Sequence, residues 1–234
     1  MISFVETMSS RMTEAIFLER LNRFLVRVRT DGRAEEAHLP NSGRLRELLV
    51  PGARALLREA WHPGRKTKYN LWAVHTGKIW VCVDAQHAND LFLRVVHQDL
   101  IVELEGVVTV RQEVPFNGSR VDFLIGTTGD SYAVEVKSVT LVRDGVALFP
   151  DAPTNRGTRH LEALMRGVEK GQRGGVGFMV QRSDARSFAP NGLMDPAFAA
   201  GLRAAARKGV WVAACKFEIG RGWVGRGERI RVTL

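Results

Sequence analysis

The sequence predicts an α/β protein with a small β domain at its amino-terminal end. From about Ile16 to Ala85, short apolar runs are broken by turn residues, and at Asn89 the hydrophobic period becomes helical. Two later strand-like segments, Ser119 to Leu124 and Tyr132 to Lys137, carry charged side chains on one face. A break near residues 84 to 89 should therefore separate a β domain, 1–85, from an α/β domain, 86–234.

In chain order, Phe24-Leu-Val-Arg-Val28 alternates, Asp31-Gly32 is a turn, and a second strand runs to Leu39 before Pro40-Asn-Ser-Gly43. Strands are expected at Ala53 to Glu59, Leu71 to His75 and Ile79 to Val83, with Pro51-Gly52, His62-Pro-Gly64 and Thr76-Gly77 between them. About five short strands with turns describe an OB-like barrel, and a sandwich fragment fits the same count. Asn89 is the expected N-cap of a helix whose stripe includes Leu91, Val95 and Leu100. There follow a strand over Val107 to Phe116, a hairpin turn at Asn117-Gly118, strands over Ser119 to Ile125 and Tyr132 to Leu141, a helix around Arg159 to Lys170 and a strand over Val176 to Gln181. Helix, three strands, helix, strand is the order of restriction-endonuclease-like cores, whose acids lie on the second and third strands. A helix over Pro196 to Lys208 and strands near Val210 to Ile219 and Arg229 to Thr233 complete the chain.

The charged face carries the chemistry. If the turn between the two acidic strands centres on Thr128-Gly129, counting inward sets Asp122 opposite Glu135. Cross-strand Cβ atoms then lie about 4.5–5.5 Å apart, and like charges at that spacing repel. A divalent cation resolves the conflict. Mg2+ or Mn2+ suits two carboxylates with coordination positions left for water and phosphate. Lys137, two residues along on the face of Glu135, supplies a charge to orient water or offset developing negative charge. Asp122, Glu135 and Lys137 are thus the candidate catalytic residues for phosphodiester hydrolysis, with Asp122 and Glu135 as metal ligands. The plain alternative is a solvated sheet face.

The 234 residues are 45% hydrophobic, enough for a packed core, and carry a formal charge of +9. With a pI near 10.2, and arginine supplying most of the basic side chains, the expected partner is a polyanion, nucleic acid by default, whether DNA or RNA. An anionic membrane surface competes, but no basic amphipathic helix stands out and no membrane partner is expected. Cys82 and Cys215 are distant and form no C-x-x-C pair, so neither a disulfide framework nor a zinc knuckle is indicated. The polar amino-terminal segment and the lack of a membrane-length apolar run point to the cytoplasm.

Further nucleic-acid contacts are expected from Arg65, Lys66, Lys68 and Tyr69, where three cations flank a ring able to stack on a base. Arg120 lies beside Asp122, and Arg156, Arg159 and His160 fall at the start of the helix after the acidic strands, within reach of phosphate. Glu103 and Glu113 are candidates for a further metal ligand, and Gln181 for orienting water or phosphate. The match of Gly220 to Gly225 to G-x-G-x-x-G is read as a turn, because no βαβ unit can follow it.

The blocks Asn41-Ser-Gly-Arg-Leu-Arg-Glu-Leu-Leu-Val-Pro-Gly52, Arg65-Lys-Thr-Lys-Tyr69, Ser119-Arg-Val-Asp-Phe-Leu124, Val134-Glu-Val-Lys-Ser-Val-Thr-Leu141 and Phe149 to Leu161 resemble the sugar fermentation stimulation protein A family. The resemblance runs over nearly the whole chain. Where the family usually has Val-Thr-Glu-Arg-Gly, this chain has Pro153-Thr-Asn-Arg-Gly157, one acid fewer. The resemblance implies an OB-like amino-terminal domain, a nuclease-like carboxy-terminal domain, DNA binding and a link to the regulation of sugar catabolism. A metal-dependent nuclease and a non-catalytic DNA-binding regulator both fit that family.

Overall fold

The computed structural model describes residues 6–7, 12–60 and 62–234. The amino-terminal segment read above as polar lies mostly outside the described residues. The chain divides into two compact units, the first built from residues 1–87, 181–184 and 217–226 and the second from 88–180, 185–216 and 227–234. The first unit thus takes in two segments from the far half of the sequence.

The elements in order are β1 (Glu6–Thr7), β2 (Met12–Arg20), β3 (Leu25–Thr30), β4 (Arg33–His38), β5 (Arg54–Glu59), β6 (Tyr69–His75) and β7 (Trp80–Cys82). After α1 (His87–His97) and a 3-10 turn over Val102–Leu104 come β8 (Val107–Phe116), β9 (Ser119–Thr127) and β10 (Ser131–Val139). Next are β11 (Val142–Arg143), β12 (Val146–Phe149), α2 (Asn155–Glu169), β13 (Arg173–Val180) and β14 (Ser187–Pro190). The last are α3 (Pro196–Arg207), β15 (Trp211–Lys216), β16 (Trp223–Val224) and β17 (Glu228–Val232).

In the first unit the strand order is β4-β3-β2-β5-β6-β7, and a further β4–β6 pairing closes the first five into a barrel. This is the OB arrangement expected from the sequence. Alternation makes it: Val26, Val28 and Thr30 of β3 point inward, while Arg27 and Arg29 lie between them. The β3–β4 hairpin turns through Asp31 and Gly32, both at positive φ (49° and 75°), as a two-residue turn matched to strand twist requires. Phe17, Leu57, Leu71 and Val74 join Val26 and Val28 in the core. The glycine-rich Gly220–Gly225 segment turns back on itself through Gly220 N–H to Trp223 O, and β16 pairs with β1.

The second unit is a nine-stranded mixed sheet in the order β11-β12-β14-β17-β15-β13-β10-β9-β8. Its centre is parallel, β10 beside β13 and β13 beside β15, with α2 and α3 in the connections. Phe178, Phe188 and Phe198 fill the core with Leu161 and Leu164 from α2, and the Phe178 and Phe188 rings stack with centroids 4.0 Å apart. Thr154 caps α2 by accepting the Gly157 N–H, and Asp195 caps α3 by accepting the Phe198 N–H. Both thiols are free and buried.

Two boundaries differ from expectation for identifiable reasons. The first helix begins at His87, not after Asn89, because Asp84 Oδ1 accepts the Gln86 N–H (3.0 Å) and starts the turn earlier. The second begins at Asn155, four residues before Arg159, because the Thr154 cap carries the helix through Gly157. Among the described residues no helix is long and apolar enough to cross a membrane.

Candidate active site

The site lies on β9, β10 and α2 of the second unit. The β9–β10 ladder runs from Gly126–Ser131 to Phe123–Val134, the register expected from a turn at Thr128-Gly129. Asp122 and Glu135 are the next positions in that register. There the ladder ends, because Asp122 Oδ2 itself accepts the Val136 N–H (2.7 Å). On the other side of β9, Glu113 falls between the pairs Gln112–Phe123 and Val114–Val121, opposite Asp122, with φ at 52°.

The face is not a solvated one. Glu135 is 2% exposed, a rare burial for a carboxylate without partners. Its Oε1 meets both the Lys137 ammonium and His160 Nδ1, while its Oε2 is buried with no hydrogen-bond partner. Burial pushes the Glu135 carboxyl up, but the charges and hydrogen bonds of Lys137 and His160 outweigh it and hold the group below the usual carboxylate value. Asp122 goes the other way. Burial first, and then the negative charge of Glu135, push it up to about 6 against the downward pull of Lys137 and the Val136 N–H. Two neighbouring carboxyls are therefore driven apart in acidity, a pattern typical of catalytic sites.

His160 does more than its position at a helix start suggests. It is 6% exposed, bonded through Nδ1 to Glu135, and its Nε2 accepts from Arg156 Nε (3.3 Å). Its Nδ1 therefore carries the proton that faces the carboxylate. Its direct partners are thus a carboxylate and an arginine. The sequence signal for this was the i, i+4 spacing of Arg156 and His160, which sets both on one helical face.

Beside it opens a cleft of about 370 Å³ lined by Gly118, Ser119, Arg120, Arg156, Arg159, His160, Glu162 and Arg166. Four guanidinium groups against one carboxylate make it strongly positive. The hairpin that forms one wall is fixed to α2: Arg166 donates to Asn117 O (2.9 Å), Lys170 to Asn117 Oδ1 (2.9 Å), and Phe116 sits where a Cβ on Gly167 would be 2.5 Å from its ring. Asn117 and Gly118 both take positive φ, the expected tight turn. Arg120 also approaches Glu113 at 3.8 Å.

Other sequence candidates sit elsewhere. Glu103, on the 3-10 turn, pairs with Arg229 (3.8 Å), and it is Glu113 whose charge acts on Asp122. Gln181 belongs to the first unit, where its buried Nε2 donates to Asp84 O (3.0 Å), so it is committed to the packing there. In the Arg65 to Tyr69 cluster, the tyrosine ring is 7% exposed and packed in the barrel core, with Lys68 Nζ 5.0 Å over its face. Tyr69 therefore does not offer the open stacking surface expected of it. Arg65 bonds Asn70 Oδ1 (2.5 Å) and Lys68 pairs with Glu59 (3.5 Å), whereas Lys66 is exposed. Asn155 opens α2.

Among the described residues no group of three or more His, Cys, Asp or Glu side chains is gathered to hold a metal alone. The orphaned Oε2 of Glu135 and the Asp122 carboxyl, disfavoured by burial and by the charge of Glu135, nonetheless fit a cation that draws its remaining ligands from water and substrate.

Residues 18–83 match the family model described as the SfsA N-terminal OB domain, and residues 86–222 match that of the sugar fermentation stimulation protein RE domain. A sugar fermentation stimulation protein homolog of Caldanaerobacter subterraneus subsp. tengcongensis is 41% identical over 218 residues, covering 93% of this chain and 95% of that protein. One from Methanothermobacter thermautotrophicus is 43% identical over 194 residues, 83% of this chain and 81% of that protein. The solved structure of Pyrococcus furiosus SfsA in complex with Ca2+ superposes with a TM-score of 0.89 at 29% identity, over 98% of this chain and 100% of that one. An OB barrel followed by a restriction-endonuclease-like unit, matched over nearly its full length, makes this chain a member of the sugar fermentation stimulation protein family.

Proposed function

We propose that the protein binds DNA and hydrolyses its phosphodiester bonds with a divalent cation held by Asp122 and Glu135. The observation that carries this reading is the pairing of those carboxylates at the end of one β ladder, with Lys137 and a four-arginine cleft on the same unit. A bound Mg2+ or Mn2+ would polarise the phosphodiester and supply an acidified water. The remaining work falls to the chain. Arg120, Arg156, Arg159 and Arg166 bind backbone phosphates, and His160 holds Glu135 by one oxygen so that the other stays turned to a ligand. Lys137 offsets negative charge but cannot replace the cation, because one ammonium leaves two carboxylates net negative. The Ca2+ in the Pyrococcus furiosus relative supports a divalent ion on this scaffold.

The purified protein, incubated with single-stranded, duplex and branched DNA, should cleave at least one of them only when Mg2+ or Mn2+ is added. Asp122→Ala should bind the same DNA and leave it intact. Binding without cleavage in any metal would leave a non-catalytic DNA-binding regulator, and RNA in place of DNA is a further arm of the same assay.

A further inference from the structure

The first unit carries an exposed aromatic group on a loop anchored by hydrogen bonds. Phe24, between β2 and β3, is 45% exposed, against complete burial for most large apolar side chains of this unit. The Arg23 guanidinium lies 5.4 Å from its ring centroid, and the His38 ring is stacked on it at 6.3 Å with planes 27° apart.

Its backbone is fixed on both sides. Phe24 N–H donates to Asn22 Oδ1 (2.9 Å), and Phe24 O accepts from Leu39 N–H (2.8 Å). Arg20 does the rest. Its guanidinium donates to Asn22 O (3.1 Å) and Arg23 O (2.7 Å) on this loop, and to Gly43 O (2.8 Å) and Arg44 O (2.9 Å) on the next. The second loop is in turn anchored by Asn41, whose Nδ2 donates to Val83 O (2.9 Å) and whose Oδ1 accepts the Gly43 N–H (2.8 Å). One arginine thus ties together two loops whose exposed side chains include Arg23, Phe24, Arg44 and Arg46.

An exposed ring on a preorganised loop, beside cations and with no acid on the Phe24 loop, matches what unpaired bases require: a face to stack on and charges for the phosphates that follow. A duplex hides its base faces, so the ring discriminates in favour of single strands. We infer that Phe24, with Arg23, His38 and the 41–46 loop, forms a stacking site for unpaired nucleotides on the barrel unit. The site replaces the one expected at Tyr69, whose ring is buried. It rests on the nucleic-acid reading above but not on cleavage, and it commits the protein to substrates with a single-stranded segment.

Full-length wild type, Phe24→Ala and Phe24→Trp should be compared by fluorescence anisotropy with a labelled oligothymidylate and a blunt duplex of equal length, without metal. Phe24→Ala is expected to weaken oligothymidylate binding about tenfold, the loss of one stacked base, and to leave duplex binding within about twofold. Phe24→Trp should bind at least as tightly as wild type. Because the ring is exposed, all three should melt together. Unchanged oligothymidylate affinity in Phe24→Ala, an equal loss on both probes, or no single-strand binding by wild type would overturn the stacking site. Failure of metal-dependent cleavage alone, with the tenfold loss intact, would overturn the nuclease reading and not this one.

Discussion

Replacing Glu135 with alanine is expected to destabilise the second unit by about 3 kcal/mol, as removing one partner of a buried charge pair does. Glu135 is 2% exposed and its Oε1 serves both Lys137 and His160. Its loss takes the direct ion-pair partner from an ammonium that is only 14% exposed, and leaves a buried imidazole N–H without an acceptor. The pH dependence has a definite sign. The folded carboxyl is held below its ordinary value of 4.5, so its contribution is complete above that pH and is lost as pH falls through the lowered folded value. Urea unfolding followed by circular dichroism should therefore show the gap between wild type and Glu135→Ala at full size in neutral solution and narrowing only below about pH 4.5.

Its neighbour should behave in the opposite way. Asp122→Asn is expected to stabilise the metal-free protein by about 2–3 kcal/mol at neutral pH, because the wild-type carboxyl is pushed from 3.8 up to about 6. A folded value above the unfolded one means the folded state holds its proton longer. Wild type then loses stability as pH rises from about 4 to about 6 and carries the full penalty above that range, while the asparagine carries none. The amide oxygen can still accept the Val136 N–H, so the change isolates the charge. Melting at a series of pH values should show the variants converging in acid. A stabilising substitution at this position would be the cost of function made visible: a carboxylate kept where folding alone disfavours it. If Asp122→Asn melts lower than wild type throughout, the carboxyl is structural.

Much of this was legible in the sequence because the governing signals are local. The Asp31-Gly32 and Asn117-Gly118 turns set their hairpins, and the Thr128-Gly129 turn with strict alternation set the register of Asp122 against Glu135. What escaped depends on partners distant in the chain. β12 and β14 are four residues each, pairing with one another and, through β14, with β17 across the fold, so no local pattern announces them. Tyr69 read as exposed from its cationic neighbours, yet β6 is buried along nearly its whole length and shows no alternation to reveal which way the ring points. Gln181 follows β13 directly but packs with the first unit, a crossing that only the tertiary structure discloses. His160 needed knowledge of which strand its helix covers. Phe24 read as the first apolar residue of an alternating strand, and its exposure follows from β3 beginning one residue later.

The central claim is that Asp122 and Glu135 together hold one divalent cation. Titration calorimetry of Mn2+ into the full-length protein at mildly alkaline pH, where both carboxyls ionise, tests it most directly, with Glu135→Gln as the paired sample and circular dichroism confirming that both are folded. The account predicts one site in wild type, lost in Glu135→Gln; no binding to wild type, or the same binding to Glu135→Gln, would contradict it.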